Sequence, residues 1–289
     1  MSFRTIAITK RAKLNLSMGF LEVRGDDTLK IYLEDIDILI IENKMVSMTA
    51  ALMSELMRKK IKVIFCDDKR NPQGELIPYY GSGDCSRKLK NQLSWTAKIK
   101  EDVWTCIVKE KIRNQYFFLE ELRKEREKRL LGEYLDELTV GDKTNREGLA
   151  AKVYFDALFG MDFKREDETP TNAALNYGYS LLLSLVNKEI AYNGYITQLG
   201  LFHDNIYNPF NLSSDLMEPF RILVDRIVHK NKFEHFETQE KHEMLHVLEE
   251  EVIIGGSRQL LTNAVRIYVR SVFDALCDEN PTEILFYKK

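Results

Sequence analysis

The spacing of apolar residues changes partway along this chain of 289 residues, and that change limits the folds the chain can adopt. Before residue 71 the pattern is that of strands, as in TLKIYL, where Leu29, Ile31 and Leu33 share one face. Residues 87–131 contain neither proline nor glycine, and their apolar residues recur at helical spacing. The sequence therefore predicts an α+β fold, with a small β-rich N-terminal domain followed by a larger all-α C-terminal domain.

The segment between these two patterns has the composition of a domain boundary. Residues 71–86, NPQGELIPYYGSGDCS, hold three glycines and two prolines, and one more short strand fits there. We place the domains at residues 1–80 and 81–289, and expect the first to contain one short helix and to mediate dimerisation. Strands are expected in TIAIT, AKLNLS, FLEVRG, TLKIYL, EDIDILII and KVIFCD, and helices near 47–60, 144–159, 171–192, 214–229, 238–250 and 257–277.

Bulk composition excludes several classes of protein. Hydrophobic residues make up 44% of the chain and charged residues 30%, which is typical of a globular protein and not of a disordered one. The chain has no apolar run as long as a membrane span and no hydrophobic signal segment, so we expect a cytoplasmic protein without membrane contact. The net charge of −3 gives no global argument for nucleic-acid binding, which would have to depend on local basic clusters.

Three separate segments each place a potential metal ligand beside apolar sequence. Glu147 lies in TNREGLAAKVYFDALFG, His203 in QLGLFHDN and Glu218 in SDLMEPFRILVD. Two carboxylates and one imidazole suit a divalent cation, because the oxygens neutralise its charge while coordination positions stay free for substrate. If the three side chains meet in the fold, the sequence predicts a protein that acts on phosphates.

Glu147 and His203 also have ordinary structural explanations. Glu147 stands three residues after Thr144, which is the spacing of a capping box at a helix start. A single histidine among apolar neighbours is often a hydrogen-bonded core residue. As a ligand, His203 would need an acceptor for its second ring N–H, and Asp204 or Asp215 could provide one.

Glu218 has similar alternatives. It either caps a helix that begins at Pro219 or lies within a helix that begins at Ser214 and kinks at the proline. In both cases Asp215 and Glu218 stand near a helix N-terminus, where negative charge is favoured without any metal. Arg221, one turn further on, could bind a phosphate through two hydrogen bonds.

A competing motif is HEMLH, from His242 to His246, which matches the H-E-x-x-H pattern of zinc proteases with Glu243 as general base. Its flanking residues, QEK and EEE, are polar where a zinc helix should be buried. No third histidine follows six residues after the motif, so a zinc site would need a distant ligand such as Asp274 or Glu279. A polar helix face is the favoured interpretation, and a zinc peptidase is the alternative.

Four segments, in this order and at these separations, resemble one known family. They are REGLAAKVYF, NAALNYGYSLL, GYITQLGLFHDN and SDLMEPFRILVDRIV, and they are similar to the CRISPR-associated adaptation integrases, the family of the first Cas protein (Cas-one), and among these to the type II branch. The resemblance covers essentially the whole chain. It implies that Glu147, His203 and Glu218 form a single catalytic site for Mg²⁺ or Mn²⁺, with Asp215 in a supporting catalytic role.

The same resemblance implies the reaction and the partners. The protein would be a metal-dependent DNA endonuclease and integrase that inserts new spacer DNA into a CRISPR array, in defence against foreign DNA. A DNA 3′-hydroxyl as nucleophile gives strand transfer at the phosphodiester, and water gives cleavage. The implied partners are double-stranded DNA (spacer precursor and CRISPR repeat), a second copy of the chain, and a small companion protein (Cas-two) in a hetero-hexamer-like complex.

Clustered basic residues are the candidates for DNA contact, because Lys and Arg that neutralise phosphates dominate the affinity of such complexes. Arg146 and Arg221 stand near the proposed ligands. Two basic clusters supply the others, with Arg58, Lys59 and Lys62 in the first and Arg87, Lys88 and Lys90 in the second. A non-catalytic assembly protein, which would bind DNA or partners without a metal, is a third hypothesis.

Overall fold

The structure is a computed structural model that describes residues 4–79 and 81–288, so residues 1–3, 80 and 289 at the edges of the expected domains lie outside it. The described strands are β1 (Arg4–Ile8), β2 (Lys13–Ser17), β3 (Phe20–Arg24), β4 (Thr28–Tyr32), β5 (Ile36–Ile41), β6 (Ser47–Met48), β7 (Lys62–Cys66), β8 (Pro72–Glu75), β9 (Glu251–Ile254) and β10 (Ser257–Leu260). The helices are α1 (Ala50–Arg58), α2 (Cys85–Ser94), α3 (Ala97–Glu121), α4 (Glu125–Asp136), α5 (Arg146–Phe159), α6 (Pro170–Tyr192), α7 (Asn211–Met217), α8 (Arg221–Asn231), α9 (Thr238–Leu245) and α10 (Leu261–Cys277).

The N-terminal strands form two sheets. In the first, with the order β1-β5-β7-β8, the strands β1, β5 and β7 are parallel and β8 is antiparallel to β7. In the second, with the order β4-β3-β2-β6, the strands β2, β3 and β4 form an antiparallel meander. The six strands expected before residue 70 are confirmed, and β8 is the additional short strand of the boundary segment.

Threonine side chains define the start of three helices. Thr49, Thr96 and Thr169 precede α1, α3 and α6, and each hydroxyl accepts a hydrogen bond from the backbone N–H three residues later, at 3.2–3.3 Å. A side chain that satisfies a free N–H of the first turn stabilises a helix by about 1 kcal/mol. The expected helix at 47–60 consequently begins only at Ala50, after the short strand β6.

Strand β5 faces two hydrophobic cores, one on each side of the first sheet. Leu39 and Ile41 belong to a core within the N-terminal part, together with Leu14, Leu21, Leu52 and Val63. Ile38 and Ile40 belong instead to the large core formed by the helices. Because both faces are covered, the strand loses the alternation of apolar and polar residues and becomes wholly apolar at ILII.

Charged side chains also join the sheet to helix α6. Lys62 Nζ pairs with Glu75, and Glu75 Oε1 accepts a hydrogen bond of 2.9 Å from Asn187 Nδ2. Lys188 Nζ lies 2.7 Å from Asp37 Oδ1. Lys62, a DNA-contact candidate from the sequence, is 2% exposed and its charge is paired with Glu75, so the structure gives no support to that role.

Helix α6 packs at the centre of the helical part, and Gly178 allows two other helices to approach it closely. A Cβ atom at this position would lie 2.5 Å from Val224 Cγ1 of α8 and 2.7 Å from Met244 Cε of α9. These separations are far below a normal van der Waals contact, so only glycine fits the present packing.

The C-terminal part is mostly helical, but the prediction that it is all-α is wrong for residues 251–260. These residues form the antiparallel hairpin β9–β10, where the sequence pattern suggested a helix from 257. Gly255 and Gly256 both have positive φ, 58° and 78°, which is the requirement of a tight two-residue hairpin turn. None of the helices in residues 4–79 and 81–288 is long and apolar enough to span a bilayer.

Candidate active site

Glu147 lies in the first turn of α5, and a different acid caps that helix. Asp142 Oδ1 accepts a hydrogen bond from Arg146 N at 2.7 Å, and its Oδ2 accepts one from Glu147 N at 2.9 Å. Asn145, at the cap position, has a left-handed backbone with φ 52°. The capping box considered for Thr144 and Glu147 therefore does not form, and the Glu147 carboxylate is directed elsewhere.

Glu147 and Glu218 converge on the ammonium group of Lys111 from α3. Lys111 Nζ donates a hydrogen bond to Glu147 Oε1 and lies 2.5 Å from Glu218 Oε2. Glu218 stands in a one-turn 3₁₀ helix between α7 and α8, where it is 4% exposed. Two carboxylates that contact the same ammonium group are close enough to repel each other, so the positive charge they share is what holds them together.

The pKa values of Glu218 and Lys111 depend on each other. Burial by itself would raise the pKa of Glu218, but Arg221 and Lys111 outweigh it and lower the pKa. Burial by itself would lower the pKa of Lys111, but Glu218 and Glu147 outweigh it and raise the pKa. Arg221 Nη2 lies 2.9 Å from Glu218 Oε1. Both carboxylates thus share a pocket with two permanent positive charges.

These side chains surround a cavity of about 190 Å³ between α3, α5 and α8. Its lining includes Lys111, Gln115, Glu147, Glu218, Arg221 and Asp225. Lys111 and Gln115 were not among the candidates from sequence. The only signal for Lys111 was its place within the apolar helical stripe of Ile107, Val108 and Ile112, where a lysine must be buried with a partner.

His203 is held by Asp215, which lies with Glu218 in the segment SDLMEPFRILVD. Asp215 is fully buried, and its Oδ1 lies 2.5 Å from His203 Nδ1. The same carboxylate accepts backbone N–H bonds from Leu201 at 2.6 Å, Phe202 at 3.1 Å and His203 at 3.2 Å. Since Nδ1 faces a carboxylate, it carries the proton and Nε2 becomes the acceptor of the ring. Asp204, the alternative partner, is exposed.

The loop that carries His203 is fixed on several sides. Gly200 passes so close to the turn that a Cβ would lie 2.3 Å from His203 O and 2.8 Å from Asp215 Oδ2. Phe202 stacks on Trp104 of α3 with 4.7 Å between ring centroids. Gln92 of α2 hydrogen-bonds both the N–H and the C=O of Ile196, at 3.0 and 2.9 Å. The loop is therefore anchored to α2, α3 and α7.

The structure brings the two glutamates together, while the histidine lies outside the cavity lining and binds Asp215, three residues before Glu218. Glu218 raises the pKa of His203, and His203 lowers the pKa of Glu218. Across residues 4–79 and 81–288, no three His, Cys, Asp or Glu side chains are arranged around one point as metal ligands. Between Glu147 and Glu218 that point is taken by the ammonium group of Lys111.

The donor set nevertheless fits a divalent cation. Glu218 Oε2 is buried and forms no hydrogen bond of acceptable geometry within the described residues, although the Lys111 ammonium is close. Two carboxylates gathered around one positive charge, one of them with an unsatisfied oxygen, offer the hard oxygen ligands that Mg²⁺ and Mn²⁺ prefer.

The expected DNA-contacting residues differ in their exposure. Arg87 and Lys90 on α2 are exposed, although Arg87 pairs with Asp84, and Lys88 lies 5.4 Å from the Tyr195 ring centroid. Arg58 is exposed but pairs with Glu55, while Lys59 is largely covered and pairs with Glu34 and Glu55. Arg146 pairs with Glu137 at 3.1 Å, and Arg221 with Glu218.

Both basic clusters lie near the C-terminal end of α6. Tyr192 Oη donates to Met57 O of α1 at 3.3 Å, and a Cβ on Gly194 would lie 3.3 Å from Cys85 Cα of α2. The exposed cations of α1 and α2 therefore lie on helices that meet the same end of α6, and α2 also contacts the loop of His203.

The HEMLH motif does not form a metal centre. His242 Nε2 lies 3.1 Å from Glu42 Oε2, and His246 Nδ1 lies 3.0 Å from Glu249 Oε2, so the two imidazoles bind different carboxylates. Helix α9 ends at Leu245, before the second histidine.

Comparison with known proteins gives a consistent family. Residues 6–253 match the profile of the family described as CRISPR associated protein Cas1. The chain is 37% identical over 229 residues to the CRISPR-associated endonuclease Cas1 of Neisseria meningitidis serogroup C (strain 8013), which covers 79% of this chain and 75% of the relative.

Two solved structures share the fold. A casposase bound to integration product superimposes with a TM-score of 0.77 at 17% identity, over 97% of this chain and 92% of the casposase. A chain of a Cas6-RT-Cas1–Cas2 complex gives a TM-score of 0.72 at 18% identity, over 97% of this chain but only 36% of that much longer chain. At these identities the two superpositions establish the fold.

Proposed function

Because the chain belongs to the Cas1 family of CRISPR-associated proteins, we propose that it is a divalent-metal-dependent DNA endonuclease and integrase that inserts new spacer DNA into a CRISPR array. The observation that carries the proposal is the convergence of Glu147 and Glu218, from distant parts of the sequence, on one buried positive charge. We also propose the type II branch, on the resemblance of the four sequence segments.

Glu147 and Glu218 would hold Mg²⁺ or Mn²⁺ through carboxylate oxygens, and His203 would add Nε2. When bound, the cation would polarise the phosphodiester and stabilise the negative charge that develops on its oxygens. Asp215 keeps the imidazole in the orientation and tautomer that leave Nε2 available. Arg221 on the cavity wall can donate two parallel hydrogen bonds to a phosphate.

The nucleophile distinguishes the two activities of the proposed site. When the 3′-hydroxyl oxygen of spacer DNA bonds the phosphorus, the 3′ oxygen of the cut strand leaves and the strands are joined. When water attacks instead, the same bond is cleaved by hydrolysis. No serine, tyrosine or cysteine nucleophile is required for either course, so the role of the protein is to position the groups and balance their charge.

DNA would approach along the exposed cations of α1 and α2. The chain as a whole is acidic, with a net charge of −3, so a local basic surface is needed to attract phosphates. Arg87, Lys90 and Arg58 meet this requirement because their side chains are exposed. Helix α2 contacts the His203 loop, which links this surface to the proposed reaction centre.

We further propose a homodimer that assembles with a small Cas2-type companion. One structural relative is a chain of a Cas6-RT-Cas1–Cas2 complex, which supports the companion. Large apolar residues exposed on the second sheet, Leu29 at 60% and Tyr32 at 45%, support dimerisation through the N-terminal part. Light scattering of the purified chain, alone and with such a companion, tests both statements.

The proposed activity is tested with purified protein, branched DNA and Mg²⁺ or Mn²⁺. Glu147→Ala, His203→Ala and Glu218→Ala should each reduce cleavage and strand transfer by more than the roughly 10–100-fold that follows loss of an outer-shell partner. DNA affinity should change little. Asp204→Ala is the matched control, because it removes an exposed carboxylate next to His203. Full activity in His203→Ala, or activity in the presence of excess chelator, would refute the assignment.

A further inference from the structure

Three buried polar atoms around the cavity form no hydrogen bond of acceptable geometry within the described residues. They are Gln115 Oε1, Arg221 Nε and Glu218 Oε2, and all three residues line the cavity. Of these, Glu218 Oε2 still lies in an ion pair, because Lys111 Nζ is 2.5 Å away. Gln115 is 4% exposed, so bulk water does not solvate its amide oxygen freely. An unsatisfied buried polar atom is unfavourable, because it gives up its hydrogen bonds to water without replacing them. Three of them at one small cavity indicate a place that is completed by a ligand.

The kind of ligand follows from the charges. Two of the three atoms are oxygen acceptors, and they share the cavity with a second carboxylate, Glu147. The cations of the lining, Lys111, Arg165 and Arg221, can hold a phosphate, but a phosphate oxygen is itself an acceptor and leaves these two oxygens unsatisfied. A divalent cation, which takes carboxylate and amide oxygens together, satisfies them directly.

The Lys111 ammonium group occupies the position between the two carboxylates that the divalent cation would take. Its ammonium group pairs with both Glu147 and Glu218, so it neutralises the carboxylates that the ion needs. Lysine is a compact charge on a flexible four-carbon stem, and it can leave such a position without any movement of the helix. The Lys111 ammonium group therefore competes with a divalent metal ion for the carboxylates of Glu147 and Glu218.

We propose that the cavity binds its divalent cation in exchange for the Lys111 ammonium, and that Gln115 Oε1 supplies a further oxygen to the bound ion. This inference rests on the proposed function, because it deepens the description of the same site. In the metal-free protein Lys111 keeps the two glutamates together. Once displaced, its charge is free to meet a phosphate of the DNA that enters the site.

The first experiment measures Mn²⁺ binding to the DNA-free protein by the electron paramagnetic resonance signal of free Mn²⁺. Lys111→Met removes the competing charge and should bind Mn²⁺ at least about tenfold more tightly than the wild type. Gln115→Met keeps the side-chain length but lacks the oxygen, and should bind more weakly. Lys111→Arg keeps the charge and is the matched control. Equal affinity in Lys111→Met and wild type would overturn the exchange, and equal affinity in Gln115→Met would overturn the role of Gln115.

The second experiment needs no variant, so it stays valid if Lys111→Met does not fold. Amine acetylation of the wild type, followed by mass spectrometry, reports whether Lys111 is protected. Mg²⁺ should increase the labelling of Lys111 several-fold and leave Lys62 unchanged, because Lys62 is also buried but is paired with Glu75 away from the site. Unchanged labelling of Lys111 at saturating Mg²⁺ would overturn the exchange. Wild-type protein with metal-dependent strand transfer but no such exchange would refute only this inference, whereas absence of metal-dependent activity would refute the proposed function.

Discussion

The substitution Asp225→Asn tests the electrostatics of the cavity wall. Asp225 is 1% exposed and accepts hydrogen bonds from Tyr179 Oη at 2.5 Å and Tyr154 Oη at 3.0 Å. Burial raises the pKa of Asp225 from its ordinary value of 3.8 to about 6, although the two tyrosines act in the opposite direction. The folded protein therefore retains a proton on Asp225 at pH values where the unfolded chain has lost it.

The sign and size of the effect on folding stability follow from the linkage between proton binding and folding. A carboxyl group with a raised pKa contributes stability that is complete below its unfolded pKa and is lost as the pH rises through its folded pKa. With values of 3.8 and about 6, this residue costs the wild type about 3 kcal/mol by pH 8, of which about 1.4 kcal/mol is lost between pH 5 and pH 8. Asparagine cannot ionise, so the variant escapes this loss.

Urea unfolding of both proteins at pH 5, 6.5 and 8 measures the difference. The stability of Asp225→Asn relative to wild type should rise by about 1.4 kcal/mol from pH 5 to pH 8. Other titrating groups are common to both proteins and cancel, as does any constant offset from altered hydrogen bonds to the tyrosines. A relative stability that is flat with pH, or that falls, would refute the reasoning.

Three further predictions concern stability and DNA binding. Asp215→Ala removes the acceptor of three backbone N–H groups and should cost at least about 3 kcal/mol in urea unfolding, whereas Asp204→Ala at the exposed neighbouring position should stay within about 0.5 kcal/mol. Gly178→Ala forces a Cβ against α8 and should cost about 1–3 kcal/mol in the same assay, and an unchanged midpoint would contradict the packing. Lys62→Ala should lower stability without altering the salt dependence of DNA binding, while Lys90→Ala should reduce that slope by about 1 in fluorescence anisotropy.

Much of the fold was predictable because its signals are local. Alternating residues identified the N-terminal strands, and helical spacing identified the helices after residue 85. The hairpin β9–β10 was missed although Gly255-Gly256 is a recognisable turn signal. Its strands are only four residues each, and a short run such as Glu251–Ile254 fits a strand or a helix end equally well.

The site was predictable mainly through the family resemblance. Glu147 and Glu218 taken singly are explained by helix capping, and the resemblance is what assigns them to one site; the structure brings the two together on Lys111. Lys111 and Gln115 could not be selected, since a lysine or glutamine on a long helix is usually solvated. Which face of a helix or strand is buried depends on tertiary packing, as the covered position of Lys62 on β7 shows.

Strand β5 of the first sheet is covered on both faces, and this has a consequence for the integrity of the chain. Ile38 and Ile40 complete the core of the helices, while Leu39 and Ile41 complete that of the strands. A truncated protein that began at residue 81 would expose the apolar side chains of the helices that Ile38 and Ile40 now cover. Lys188 would also lose its ion pair with Asp37. The helical part is thus inseparable from its N-terminal neighbour, and domain exchange between relatives would have to carry both parts together.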